Sequence, residues 1–352
     1  MKKETKTTQL GQKMTIYEYE ERYSSRTSAK QANLLTNLVI SLVGIFIFVC
    51  LFFITKEVYE LNEYAGYGMI AVSVLIFVFL FIIPVIKIKT MRRFDVDVTA
   101  YTAPKAKRHN DKVRQELADR IIDFYLSTEG SAGIYSSESI KPLIDARSKK
   151  DKKALISALD TIYSKDIKKS AQDIIKKCSV KSGAYSAVSQ KDTTDALLVS
   201  VINVQMVKDI IYLYGFRPSD TRLLKIFSNI LTNSLIAYGL GNLRIGNTVA
   251  RSMGDVVKNI PILGSAISVI VDSSVQGLSN ATLTAIIGHN TIKYLMTEYN
   301  LQNILNNIEL TESDEEFIRT CEEVKKELIE EKKKKKESLD VSDKKLIGTQ
   351  SA

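Results

Sequence analysis

Two long stretches without a charged side chain constrain this chain more than any other feature. Gln31 to Thr55 contains the apolar run Leu38 to Ile54, and Tyr64 to Ile86 contains a second run with Pro84 near its end. An α-helix rises about 1.5 Å per residue, so about 20 apolar residues match a hydrocarbon core roughly 30 Å thick. Each stretch is long enough to cross a bilayer, and lipid admits only segments that satisfy their own backbone hydrogen bonds, which selects helices here. Only Lys56 to Glu63 separates the two. So short a connection is a turn that returns the chain to the side it left. The expected unit is an antiparallel transmembrane hairpin over 31–86, with spans at about 34–55 and 64–86 by hydropathy.

Arg22, Arg26 and Lys30 precede the first span, and Lys87, Lys89, Arg92 and Arg93 follow the second, against Lys56 alone in the turn. That asymmetry places both termini in the cytoplasm. A cleaved signal peptide fits poorly: the first run starts about 30 residues in, exceeds an h-region, and has no small-x-small site before the turn. Gly44, Gly66, Gly68 and Ala71 are small enough to bring the two helices close. Neither span holds an ionisable group of the kind that proton-coupled carriers use, so the hairpin reads as an anchor.

The rest of the chain is expected to be helical. Residues 1–30 form a polar cytoplasmic tail, expected to be disordered or to fray into the first helix, with Tyr17 to Tyr23 as its aromatic cluster. A basic juxtamembrane linker covers 87–110, and a multi-helix cytoplasmic domain covers 111–300. Within it Val113, Leu117, Ile121, Ile122 and Tyr125 fall at helical spacing. Helices are also predicted at 151–163, with Leu155, Leu159 and Ile162 inward, and at 166–178, with Ile167, Ala171, Ile174 and Ile175 inward. The run Ala196 to Val207 is too apolar for a surface helix and, as a run, too short to span; it is expected to be the domain's central buried helix. Tyr214-Gly215 should end that helix with a left-handed cap, and Pro218 should prevent its continuation. Ser219 or Asp220 can cap the next helix, and Asp195 is expected to fix a helix start or pair with Arg217 or Arg222.

The segments 226–243 and 273–292 lack formal charge but carry many Ser, Thr, Asn and Gln residues, which favours a soluble or interfacial position over spanning. Ser273, Gly277, Ala281 and Ala285 form a small-residue stripe that His289 continues, where a packed histidine is expected. Ser313 and Glu316 form a capping box for a charged helix over 312–336, followed by a disordered tail over 337–352.

One ordered pattern resembles the YcjF type of bacterial membrane proteins: Asp195, Asn203, Leu213-Tyr214-Gly215, Arg222-Leu223 with Lys225-Ile226-Phe227, Gln276-Gly277, Leu283-Thr284-Ala285 and Ile287-Gly288. The resemblance covers about 190–295 well, and the hairpin by layout only. It implies two spans in the bacterial plasma membrane followed by a helical cytoplasmic domain, and association with P-loop GTPase-like proteins. Asp195, Asn203, Tyr214, Gly215, Arg217, Arg222, Gln276, Gly277 and Gly288 are the signature positions, expected to shape the fold or present a partner surface.

Other chemistry is mostly excluded. The net charge of +9 comes largely from juxtamembrane residues and Lys332 to Lys336, which suits anionic lipid better than nucleic acid. Cys50, Cys178 and Cys321 are too scattered for a disulfide framework or a zinc site. Gly241 to Thr248 approaches a phosphate-loop pattern, but Asn247 stands where lysine is needed and no strand precedes it. His109 lies in the basic linker, and no G-x-S-x-G motif occurs. The expectation is an all-α, non-enzymatic, membrane-anchored adaptor without cofactor or metal. Membrane lipid, a P-loop GTPase-like protein and a second copy of the chain are its expected partners. The alternative is a membrane-active protein whose low-charge helices within 224–292 insert in or remodel the bilayer.

Overall fold

A computed structural model of the chain describes residues 14–24, 28–127, 133–188, 192–238 and 276–308, with 319, 320, 323 and 330 as isolated helical positions. Every regular element among the described residues is a helix. In order they are α1 (Ile16–Tyr23), α2 (Ala29–Leu61), α3 (Glu63–Thr90), α4 (Ala103–Leu126), α5 (Ser137–Ser148), α6 (Lys152–Ile162), α7 (Lys168–Val188), α8 (Asp192–Tyr214), α9 (Asp220–Ala237) and α10 (Gln276–Asn307). The phosphate-loop-like segment 241–248, Ser273, the tail 337–352 and, but for the isolated positions, the helix expected at 312–336 lie outside the described residues. The chain divides into two compact units: Met1–Ser25 with Asp95–His109 and Leu301–Ala352, and Arg26–Phe94 with Asn110–Asn300.

In the first unit, α1 is a capped helix within the segment expected to be disordered or to fray into the first helix. Thr15 and Glu18 form a capping box, with Thr15 Oγ1 accepting from the Glu18 N–H at 3.3 Å and Glu18 Oε2 accepting from the Thr15 N–H at 3.0 Å. An eight-residue helix is marginal alone and needs tertiary packing. Ile16 and Tyr19 are fully buried, the Tyr19 hydroxyl donates to the Val96 carbonyl at 2.8 Å, and Glu20 accepts from the Ala100 N–H at 2.9 Å. Counting aliphatic residues locally missed this helix because its partners lie some 75 residues on. The linker is also shorter than expected: α4 starts at Ala103 with Pro104 in its first turn, where a missing N–H costs nothing.

In the second unit, α2 and α3 run antiparallel. Thr55 and Ser73 share a 2.7 Å hydroxyl hydrogen bond, and a Cβ at Gly44 would sit 2.6 Å from Phe81 Cε1, so glycine there permits the close approach. The expected turn over Lys56 to Glu63 shrinks to Asn62, whose Oδ1 accepts from the Tyr64 and Ala65 N–H groups at 2.9 and 3.1 Å and caps α3. Gly68 and Ala71 do not serve the helix contact, since nothing lies within 4 Å of a Cβ at Gly68 and Ala71 is exposed.

Near its end α3 widens into a π-turn at Val78–Ile82. Pro84 has no N–H to give the Leu80 carbonyl, as residue i+4 of an α-helix would. Gln205 Nε2 of α8 donates to that carbonyl at 3.0 Å. The hairpin therefore does not stand apart from the helical domain, as the sequence boundaries implied. α8 packs against α2 and the end of α3, and α9 packs against α2 and α8, all within one unit. Thr36 Oγ1 donates to the Asp220 carbonyl at 2.7 Å, and Ser200 Oγ to Ser234 Oγ at 2.6 Å.

α8 is the expected buried helix and ends at Tyr214 as predicted, but the apolar run 196–207, too short to span by itself, is only its middle: the helix has 23 residues, about 35 Å at the usual rise. Among the described residues, α2, α3 and α8 are long and apolar enough to cross a membrane. α8 is the most enclosed of the three, and α3 the least. Leu34, Leu38, Ile45, Phe48 and Phe52 of α2, with Val74, Leu75 and Phe79 of α3, form an exposed apolar surface of the kind soluble monomers avoid.

The remaining helices of this unit are polar outside. Asp151 caps α6 through the Lys153 and Ala154 N–H groups, and Leu155, Leu159 and Ile162 point inward at the predicted spacing. A π-turn at Tyr163–Ile167 joins α6 to α7, whose Ala171 and Ile175 are buried and Ile174 half-buried. α5, for which no helix is predicted from the sequence, carries Pro142 inside it with the side chain exposed.

Candidate functional site

The connection between α8 and α9 meets the end of α3 and gathers four of the signature residues. Gly215 closes α8 with φ +79°, and its N–H donates to the Ile211 carbonyl at 3.0 Å, the hydrogen bond of a left-handed C-cap. The Arg217 N–H then donates to the Arg92 carbonyl at 2.8 Å, tying the connection to the segment that leaves α3. Beneath it lies an aromatic cluster: Tyr163 and Tyr299 ring centroids are 4.6 Å apart, Phe94 and Phe216 are 4.9 Å apart, and Tyr214 touches both Tyr163 and Phe216. The Tyr163 hydroxyl donates to the Tyr214 carbonyl at 2.8 Å, and burial pushes the Tyr163 phenol well above its ordinary range.

Charge surrounds this core. Asp220, 7% exposed, accepts from Arg217 Nη1 and Arg93 Nη1 at 3.0 Å each and lies 3.5 Å from Lys89 Nζ. Glu298, 1% exposed, accepts from the Ser219 N–H at 2.9 Å and from Arg222 Nη1. Burial lowers the pKa of Arg217, which Asp220 partly restores. Lys225, half-buried one turn beyond Arg222, is pushed down by its own burial and by Arg222, and no carboxylate pairs with it among the described residues. The junction thus collects five cations about two buried carboxylates, an arrangement suited to holding an anion rather than to acid–base or nucleophilic chemistry.

Asp195 is placed elsewhere. It does not meet Arg217 or Arg222, because 19 residues of α8, about 28 Å at helical rise, separate it from Tyr214. Instead Ser186 Oγ donates to Asp195 Oδ1, and Asn280 Nδ2 donates to Asp195 Oδ2 at 2.9 Å and to Ser186 Oγ at 2.8 Å. Thr284 and Ser182 extend this buried knot, which joins α7, α8 and α10. Asn203 lies between the two clusters, fully buried, with both amide atoms unpartnered. Gly288 packs where a Cβ would come within 2.5 Å of Ile175 Cγ1 and 3.1 Å of Met206 Sδ. Gln276 and Gly277 open α10. Against expectation His289 is exposed: the buried face of α10 runs through Asn280, Leu283, Thr284, Ile287 and Thr291, rather than along the small-residue stripe.

Sequence reading missed Asp220 and Glu298 as the anions of the junction. The Arg217 to Asp220 spacing of three was a local signal, whereas Glu298 lies 76 residues from Arg222 and leaves none. Among the described residues no three His, Cys, Asp or Glu side chains gather as a metal site would require. No curated protein and no solved structure matches the chain. Residues 150–308, which include α6 to α10 and most of the junction, match a family model described as a domain of unknown function, DUF697.

Proposed function

We propose that the chain is a membrane-anchored helical adaptor: α2 and α3 cross the bacterial plasma membrane with both termini cytoplasmic, and the polar helices hold a P-loop GTPase-like partner at its surface. The observation that carries the reading is the two-sidedness of the α2–α3 pair. Its outer surface is exposed and apolar, while its inner surface is bonded to α8 and α9 at Leu80 and Thr36. Such an anchor moves with the helical body and fixes whatever the body carries at a set height above the bilayer. The GTPase-like partner is supported by the family resemblance of the sequence between Asp195 and Gly288.

The test has two arms. Cysteine at Leu61, at the exposed end of α2, should react with an impermeant maleimide added to intact cells, and cysteine at Lys149 should not. Vesicles containing the full chain should then float a P-loop GTPase-like protein that bare vesicles leave behind. Labelling at Lys149 refutes the topology, and failure to float the GTPase-like protein refutes the adaptor role.

A second reading is favoured by the length and apolarity of α8, which runs in the same direction as α3 along the hairpin. If α8 enters the bilayer with α3, the chain is a membrane-active body rather than a two-span anchor. Cysteine at Asp192 separates the two readings: external labelling favours insertion, and protection favours the anchor.

A further inference from the structure

The cations of the junction outnumber its carboxylates, and both carboxylates are buried beneath them. Lys89, Arg93 and Arg217 are engaged by Asp220, and Arg222 by Glu298. Lys225 follows Arg222 on the same face of α9 and has no carboxylate partner among the described residues. Lys225 is thus a half-buried ammonium beside Arg222 with no carboxylate among the described residues to offset its burial, a costly arrangement that an anionic oxygen held between the two side chains would relieve.

The position of the site narrows the source. Lys89 ends α3, so the junction lies where the hairpin leaves the apolar region. We propose that Arg222 and Lys225 form a binding site for the phosphate of an anionic phospholipid headgroup, held between the two basic side chains. The site rests on the reading of α2 and α3 as a membrane anchor. Bound there, the lipid neutralises the charge excess and joins α9 to the bilayer surface in addition to the hairpin.

The test uses the full chain in phosphatidylcholine nanodiscs with phosphatidylglycerol titrated in, followed by native mass spectrometry of the lipid retained on release. Phosphatidylglycerol should be retained in preference to phosphatidylcholine. Lys225→Gln, which breaks no ion pair, should lower that preference about fivefold, the equivalent of about 1 kcal/mol for one basic residue at an anionic surface. Lys225→Arg should keep it, and Lys87→Gln, at an exposed position outside the junction, should not change it. Equal retention of both lipids, an equal loss in Lys87→Gln, or displacement of the lipid by inorganic phosphate overturns the proposal. Failure of the chain to enter nanodiscs of any composition removes the anchor reading and this site together, whereas entry without selectivity removes the site alone.

Discussion

Replacing Gly215 tests the junction at its narrowest point. The residue has φ +79°, where a β-carbon costs roughly 1–2 kcal/mol in backbone strain. That Cβ would also lie 2.7 Å from Leu117 Cδ2 and 3.1 Å from Arg120 Nη1. Leu117 is 4% exposed and cannot swing freely into solvent, so an overpacking cost of about 1–3 kcal/mol adds to the strain. Arg120 cannot retreat without loss either, because its Nη2 donates to the Tyr212 carbonyl at 2.7 Å and its guanidinium lies 4.5 Å above the Tyr212 ring. The two terms give about 2–5 kcal/mol for Gly215→Val, and at roughly 2–4 °C per kcal/mol the melting temperature should fall by about 10 °C. Gly215→Ala introduces the same Cβ and should show most of the effect. Thermal melting of the detergent-solubilised full chain, followed by fluorescence and far-ultraviolet circular dichroism, reads both. A Gly215→Ala protein that melts with wild type would refute the left-handed cap and the contact with Leu117 as the reasons for glycine.

Three further substitutions probe the same unit. Both amide atoms of the buried Asn203 are unpartnered, so Asn203→Leu should raise the melting temperature by removing a cost of about 1–3 kcal/mol, and a fall would show that partners exist. Gly288→Ala should lower it, because a Cβ 2.5 Å from Ile175 Cγ1 outweighs the gain of about 1 kcal/mol in helix propensity; an increase in melting temperature would contradict that. Arg147 bonds Asp119 through Nε and Nη2 at 2.6 and 2.9 Å and holds its carboxyl below the usual range. A depressed carboxyl stabilises the fold above its unfolded pKa and loses that contribution as pH falls through the folded value, so wild type and Arg147→Gln should differ at neutral pH and converge in acid well below about pH 4.

What the sequence made legible follows the range of each interaction. α2 and α3 could be read because charge-free runs of that length are set by the solvent they face, and the inward residues of α6 and α7 because helical spacing is local. The end of α8 at Gly215 could be read because a left-handed cap is written in two or three adjacent residues. α1 could not, since its burial depends on the segment around Val96 to Ala100. Nor could the junction, where Glu298 and Arg222, or Lys89 and Asp220, are brought together only by the complete helix packing.

Pro84 and Gln205 show how one long-range contact changes the reading of two segments. Taken locally, Pro84 marks a tolerable kink near the end of a membrane helix, and Gln205 is a polar intrusion in a buried helix. Together they are a carbonyl left without its helical donor and the amide that supplies one, 125 residues away. An unsatisfied carbonyl in hydrocarbon costs several kcal/mol, so a hairpin with this proline is better accommodated with α8 beside it than alone in lipid. The same reasoning explains why α8 combines high apolarity with Ser200 and Gln205: its apolar residues pack on the hairpin, and these two polar ones bond Ser234 and the Leu80 carbonyl. The low charge of α8 therefore has a cause in the packing of this unit whether or not the helix itself enters the bilayer.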